Sequence, residues 1–309
     1  SAMNLLMTLL GEQPLPNLMP LWQYRQFDAV QFVVSERTLP LAEMLAGYLP
    51  NDPQLHDLHL FPPLCVPPYD LPQARFKIGE GLLQALNAGS AVTLNLTGGT
   101  KLMSLAAMQA AYGLAVPLLY ISSENGEMIF YTSDGVQTRR EPIVLHISVE
   151  QYLRAHGIEV SLNPSFRPAS EPPFRPPKEG DPLEAAVFEA ARQSGEFDDV
   201  RRNLYIRRCS PNGGVVDNEL DVVVTRNGVL GVCSCKAGSN LSNDDLYELE
   251  ALSSREKFGI YCGRVFVCAA SEIPEGLKQR ASADKIRLAY GEDAAERAVN
   301  QLLESMQRF

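Results

Sequence analysis

The chain has 309 residues and a mass of 34.0 kDa, a length that suits two domains better than one or three. Its 45% hydrophobic and 21% charged residues exclude wholesale disorder, and no apolar run approaches the ~20 residues needed to span a bilayer. A net charge of −10 and a pI near 5.0 argue against an electrostatic grip of the whole surface on long duplex DNA, while leaving room for a local basic groove.

In chain order, Asn4–Leu10 is a short apolar run that ends at Gly11, and Ala29–Val34 is a second strand-like run. Leu41–Tyr48 has helical spacing, as do residues 75–88; Ala91–Leu96 reads as a strand. Thr100–Leu114 is a helix rich in small residues, followed by a strand at Leu118–Ser122. Strands that alternate with helices predict a parallel α/β sheet covered on both faces. Residues 127–146 read instead as antiparallel strands around Ser133-Asp134-Gly135. Residues 163–182 hold seven prolines in twenty positions, which excludes a helix or a central strand and predicts a semi-rigid linker. An amphipathic helix follows at 182–194, then strands at 203–208, 219–225 and 229–236, a helix at 244–254, a strand at 264–269 and a last helix at about 291–306. Six cysteines without a CxxC pair, and four histidines at no zinc-finger spacing, argue against a structural zinc site. Ser1-Ala2-Met3 reads as a cloning remnant with no signal-peptide pattern behind it, so a cytoplasmic protein without a membrane partner is expected.

Two places carry chemistry. In the first half, Asn95-Leu96-Thr97-Gly98-Gly99-Thr100-Lys101 takes a strand through two glycines directly into a helix. Glycines admit a ligand close to the backbone, and the free amides of a helix N-terminus favour phosphate. The order is neither a Walker A loop nor a dinucleotide GxGxxG. A second loop, Gly11 to Asn17, with Gln13 and Pro14, follows the first strand; Ser35 follows the second, and Ser122 follows another. In an open α/β sheet such loops line one crevice. The plain alternative is a capped strand-to-helix turn and nothing more.

With its early TLLGEQPLPN loop and LNLTGGTKLMSLAA segment, the first half resembles the CRISPR-associated Rossmann-fold (CARF) sensor domain over residues 3–150. The resemblance implies a homodimer that binds a cyclic oligoadenylate, most commonly cyclic tetra-adenylate. It implies that Gly98, Gly99, Thr100 and Lys101 line the site, beside the Gly11–Asn17 loop; Thr97, Ser35 and Ser122 join the candidates through their place at strand ends.

In the second half, DNELDVVVTRNGVLGVCSCK turns at Asn227-Gly228. A two-residue turn pairs Arg226 with Val229, which sets Asp221 opposite Ser234 and Glu219 opposite Lys236, all four on one face. Carboxylates of this kind can hold Mg²⁺ or Mn²⁺ against a phosphodiester while a lysine stabilises the charge that develops. The competing reading is an exposed hairpin face whose Glu–Lys pair is worth ~0.2–1 kcal/mol. This half, residues 183–309, resembles the PD-(D/E)xK nuclease superfamily, and more closely the nuclease that accompanies such sensors, with residues 151–182 as the linker between them. Ser234 stands where the family usually has Glu. Some members with Ser-x-Lys move the acid to the next helix, and Glu248 matches that position, while Glu184 matches the acidic residue of the first helix. The resemblance thus implies that Asp221 and Glu248 bind the metal with support from Glu184, and that Lys236 acts on the phosphate. Arg201, Arg202, Arg207 and Arg208 form a local basic cluster around Tyr205, either a backbone-tracking groove with a stacking ring or a solvated strand.

The combined expectation is an α/β protein: a Rossmann-like sensor, then a restriction-endonuclease-like domain cleaving DNA or RNA with Mn²⁺ or Mg²⁺ when a cyclic oligoadenylate binds, as in type III CRISPR antiviral defence. Two alternatives compete with it. One is a catalytically impaired protein that sequesters or slowly cleaves the ring. The other is a ligand-responsive nucleic-acid-binding regulator.

Overall fold

The computed structural model describes residues 3–161, 182–209, 214–238 and 241–307. The chain divides into two compact units, the first running to Leu145 and the second from His146 to Gln307. Among the described residues, no helix is long and apolar enough to cross a membrane.

The first unit contains β1 (Asn4–Leu9), α1 (Leu15–Gln23), β2 (Ala29–Val34), α2 (Leu39–Tyr48), β3 (His59–Leu60), β4 (Leu64–Cys65), α3 (Leu71–Asn87), β5 (Ala91–Asn95), α4 (Lys101–Ala111), β6 (Leu118–Ser122), β7 (Glu127–Tyr131) and β8 (Gln137–Pro142). Its sheet has the order β3-β2-β1-β5-β6-β7-β8, with β4 also on β2; β1 to β6 pair in parallel and β7 and β8 are antiparallel. Alternate residues of β1 explain the two covered faces. Leu5, Met7 and Leu9 join a core with Ile78 and Leu82 of α3 and Met103 of α4, while Leu6, Thr8 and Leu10 are equally buried on the other side. From β1 the chain winds outward through β2, then returns to β5 on the opposite side of β1. The direction therefore reverses between β1 and β5, which is where an open α/β sheet forms its crevice.

One element departs from expectation. The segment read as a loop through Asn17 becomes helix α1 from Leu15, despite Pro16 and Pro20. Pro16 sits in the first turn, where a missing N–H costs nothing, and burial of Leu15, Leu18, Leu21 and Trp22 outweighs the interior Pro20.

The second unit contains α5 (Val149–Ala155), β9 (Glu159–Ser161), α6 (Pro182–Ser194), β10 (Asp199–Cys209), β11 (Val215–Arg226), β12 (Val229–Lys236), α7 (Asn243–Leu252), α8 (Arg255–Phe258), β13 (Gly263–Cys268), α9 (Glu275–Ala283), β14 (Arg287–Tyr290) and α10 (Ala294–Ser305). Its sheet runs β14-β13-β12-β11-β10-β9, parallel among β12, β13 and β14 and antiparallel elsewhere. One face packs under α6 and α10, through Val187, Ala191, Ala298 and Leu302 against Val222, Val224, Cys233 and Val265. Helix α10 lies very close to the sheet. Gly231 and Gly263 are paired neighbours on β12 and β13, and a Cβ on either would come within 2.5 or 2.7 Å of Met306.

Helix α5 and strand β9 fall within the span read as linker. Ser148 and Gln151 close a reciprocal cap on α5, Tyr152 Oη donates to the carbonyl of Phe258 (2.6 Å), and β9 pairs with β10, so these residues are part of the second unit. The rest of the expected linker, up to 181, lies outside the described residues.

Candidate functional site

At the β1/β5 crevice, Asn17 does structural work. It is fully buried, and its amide donates to Thr8 Oγ1 (2.7 Å) and the Leu9 carbonyl (2.6 Å) and faces the Thr97 carbonyl at 3.1 Å. It thereby ties the end of β1 to the loop after β5. Gly98 has φ +106, and a Cβ there would lie 2.3 Å from the Leu9 carbonyl oxygen, so only glycine fits. Gly11 touches the same turn: a Cβ on it would stand 3.2 Å from Gly98 Cα. Thr97 Oγ1 accepts from the Ile121 amide (2.7 Å), and Thr100 Oγ1 caps α4 at Met103 N while donating to the Pro68 carbonyl (2.6 Å). Ser35 is buried against Thr38. Pro14 is buried at the start of α1, and Ser122 Oγ accepts from Asn125 (2.8 Å). Asn17, Thr97 and Ser35 are therefore supports of the crevice, whereas Gly99 and Lys101 are exposed at the N-terminus of α4 and Gln13 is half-buried. That end of α4 offers amides and an ammonium to an anion.

The second constellation is tighter. Asn227 and Gly228 take φ of +48 and +71, the doubly positive turn that sets the hairpin register, and the ladder runs from Arg226↔Val229 to Val222↔Cys233 as expected. There the ladder between β11 and β12 ends. Beyond it, Asp221 Oδ2 accepts from the Cys235 amide (2.7 Å) and Ser234 Oγ (3.4 Å), a side chain taking the place of a strand. Glu219, Asp221, Ser234 and Lys236 line one cavity of about 290 Å³, together with Asp245 and Glu248 of α7 and a floor of Leu249, Leu252 and Phe266. Burial pushes the Asp221 carboxyl up to about 6, and the neighbouring charges of Glu219 and Glu248 act in the same direction against the two hydrogen bonds.

Lys236 does not pair with Glu219. Its Nζ donates to both oxygens of Asp245, at 2.6 and 2.7 Å, because α7 packs across the end of the hairpin. Asp245 was the residue that sequence reasoning passed over. Its signal was the spacing Ser242-x-x-Asp245, a helix-start pattern: Asp245 Oδ2 accepts from both the amide (2.7 Å) and the hydroxyl (2.8 Å) of Ser242.

Residues 177–308 match the family of Card1-like endonuclease domains. Over nearly its whole length the chain is also similar in fold to Can2 from Sulfobacillus thermosulfidooxidans, solved in complex with cyclic tetra-adenylate: TM-score 0.74, 20% identity, 98% of this chain and 97% of that one. Protein VC1899 from Vibrio cholerae is similar at TM-score 0.76 and 14% identity, over 100% and 99% of the two chains. A type III CRISPR defence DNA nuclease activated by cyclic oligoadenylate gives TM-score 0.58 and 19% identity, over 91% of this chain and 52% of that one. No curated protein matches the chain.

Within the second unit, the three acids expected around a metal are not gathered into one set. Asp221 and Glu248 line the cavity; Glu184, on α6, is not among its lining residues and instead bears electrostatically on Tyr205, beside Glu219. Among the described residues, no three His, Cys, Asp or Glu side chains stand ready-made around one point. The donor chemistry nevertheless suits a hard cation: four carboxylates share one small cavity, and burial first, then the charges of Glu219 and Glu248, disfavours the ionised form of Asp221, a penalty that a bound cation would offset. The basic cluster is largely absorbed by internal pairs. Arg207 is buried in a bidentate pair with Asp217 (2.8 and 2.9 Å), Arg201 bonds Asp199, and Arg208 bonds Asn218. Tyr205 is 7% exposed and is core, not a stacking platform.

Proposed function

We propose that the protein is a metal-dependent nuclease of type III CRISPR antiviral defence, switched on by a cyclic oligoadenylate. The observation that carries this reading is the Asp221–Lys236 cavity within a Card1-like endonuclease domain, downstream of a Rossmann-like unit whose glycine turn opens an anion-ready helix end. Asp221 and Glu248, with Glu219 beside them, would hold Mn²⁺ or Mg²⁺. When bound, the ion supplies an activated water and charge neutralisation at the scissile phosphate. The Cys235 amide and Ser234 hydroxyl fix the orientation of Asp221, and Lys236 stabilises the phosphate charge as the bond breaks. Glu184 would support the site from α6 through Tyr205, on which its charge and that of Glu219 both act.

For the sensor, the amides of Gly98, Gly99 and Thr100 and the Lys101 ammonium receive a ring phosphate, with Gly11 and Gln13 beside them. Cyclic tetra-adenylate is the favoured ring, since Can2, similar over almost the full chain, was solved with it. A homodimer is favoured by the apolar strip on α3 and α4, where Phe76, Leu83, Leu105 and Met108, and Tyr112 beyond, are all exposed.

The test is to incubate the protein with labelled single- and double-stranded DNA and RNA, with Mn²⁺ or Mg²⁺, with and without cyclic tetra- or hexa-adenylate. Strand cleavage that requires both metal and ring is expected. Loss of the ring without strand cleavage would overturn the reading in favour of a messenger-degrading protein, and a mobility shift without cleavage in favour of a binding regulator.

A further inference from the structure

We infer that Asp245 is a positioning residue for the nuclease reaction, which holds the Lys236 ammonium at the cavity; the inference rests on the nuclease reading above. Lys236 sits on the last residue of β12, where its four-carbon stem has many rotamers and the ladder to β11 has already opened. A lysine there reaches a phosphate reproducibly only if another group fixes it. Asp245 does so with both oxygens, and it is itself fixed: Oδ2 accepts from the Ser242 amide and hydroxyl, while the Asp245 carboxylate is held below its ordinary range by these donors and by Lys236, against the effect of its burial. Helix α7 is anchored in turn by Leu246 and Leu249, both fully buried, and by Arg280 of α9 stacked on Tyr247 at 4.3 Å. The ammonium has three N–H groups. Both contacts fall on one side of the ammonium, on the two oxygens of a single carboxylate, which leaves at least one N–H for the cavity that Asp221 and Glu248 share. The same helix therefore delivers a carboxylate to the cavity at Glu248 and the lysine's anchor one turn earlier at Asp245.

The experiment compares Asp245→Asn, Asp245→Glu and Lys236→Ala with the wild type in full-length protein. Asn keeps an oxygen to accept the Ser242 amide, so the helix start survives while the charge is lost. Asp245→Asn is expected to lower the single-turnover cleavage rate with Mn²⁺ and cyclic tetra-adenylate by about 10- to 100-fold, with nucleic-acid affinity measured in Ca²⁺ unchanged; Asp245→Glu should restore part of the rate. A second reading needs no turnover: acetylation of Lys236 by a limiting amine-reactive reagent, followed by mass spectrometry against exposed Lys285, should rise severalfold in Asp245→Asn. A purely structural Asp245 would lower the melting temperature and leave both the rate split and the labelling ratio unmoved, and that result overturns the inference. So does faster cleavage by Asp245→Asn, which would make the pair a latch. If the wild type cleaves nothing, the nuclease reading fails, and an unchanged labelling ratio then sinks the Asp245–Lys236 clamp as well.

Discussion

Replacing Asp221 by Asn should make the protein more stable while destroying its activity, and the two effects share one cause. The folded carboxyl titrates near 6 against an ordinary 3.8, because burial and the Glu219 and Glu248 charges disfavour its ionised form. The unfolded chain therefore releases this proton first as the pH rises. Folding stability falls between about pH 4 and pH 6, and the loss is complete above that window. At ~1.4 kcal/mol per pH unit the ceiling is about 3 kcal/mol; residual solvent access to Asp221 brings the expectation to about 1–3 kcal/mol at pH 8. The asparagine oxygen can still accept from the Cys235 amide, so no buried donor is stranded. With chelator present, the melting temperature of Asp221→Asn should exceed that of the wild type by about 2–4 °C per kcal/mol at pH 8, and the difference should vanish near pH 3.5. A gain of equal size at both pH values, or a loss at pH 8, would refute the electrostatic argument. Cleavage by the same variant should fall to background, since the carboxylate proposed to grip the cation is gone.

Three further outcomes are expected. Gly98→Ala should cost at least ~1–3 kcal/mol from backbone strain alone and should weaken cyclic tetra-adenylate binding in calorimetry, because the new methyl would meet the Leu9 carbonyl. His156, whose ring stacks on Tyr152 with its Nε2 buried and unpartnered among the described residues, is pushed down by burial to about 4, so the unfolded state takes up this proton first on acidification. Wild-type stability should then drop relative to His156→Phe between pH 6.5 and 4, by up to ~3 kcal/mol in urea titrations. Arg207→Leu should destabilise the protein by about 3 kcal/mol by leaving Asp217 in a nearly dry site, and adding Asp217→Leu should return most of that loss in the same denaturation assay.

Much of this was legible in residue order. Strands β1, β2, β5 and β6 and the β11/β12 register followed from apolar runs and from Asn227-Gly228, local signals with a single geometric answer, whereas the two-residue β3 and β4 gave no such signal. Failures came where a distant element decides the outcome. Glu219 was expected to face Lys236 because the pairing was extended past Val222↔Cys233, but the strands part there and α7 supplies Asp245 instead. Helix α1 was hidden because Pro14, Pro16 and Pro20 punctuate it, and only burial of its apolar face overrides them. Helix α9 and strand β14 were missed because a charged surface helix and a four-residue strand give weak periodicity. The arginines after residue 200 were open to two readings, a nucleic-acid track or a solvated strand, because charge alone does not reveal a partner on the facing strand, here Asp217 for the buried Arg207.

The seat of α10 has a consequence for how the cavity could be tuned. Strand β12 turns Ser234 and Lys236 towards the cavity and Gly231 towards Met306 and Leu302 on the reverse side. A single methyl at Gly231 or Gly263 would act as a shim under the helix, displacing either α10 or the strand by a fraction of an ångström. Under the nuclease reading proposed above, such shims would shift the floor beneath Ser234 and Lys236 while leaving every carboxylate and the lysine in the sequence untouched.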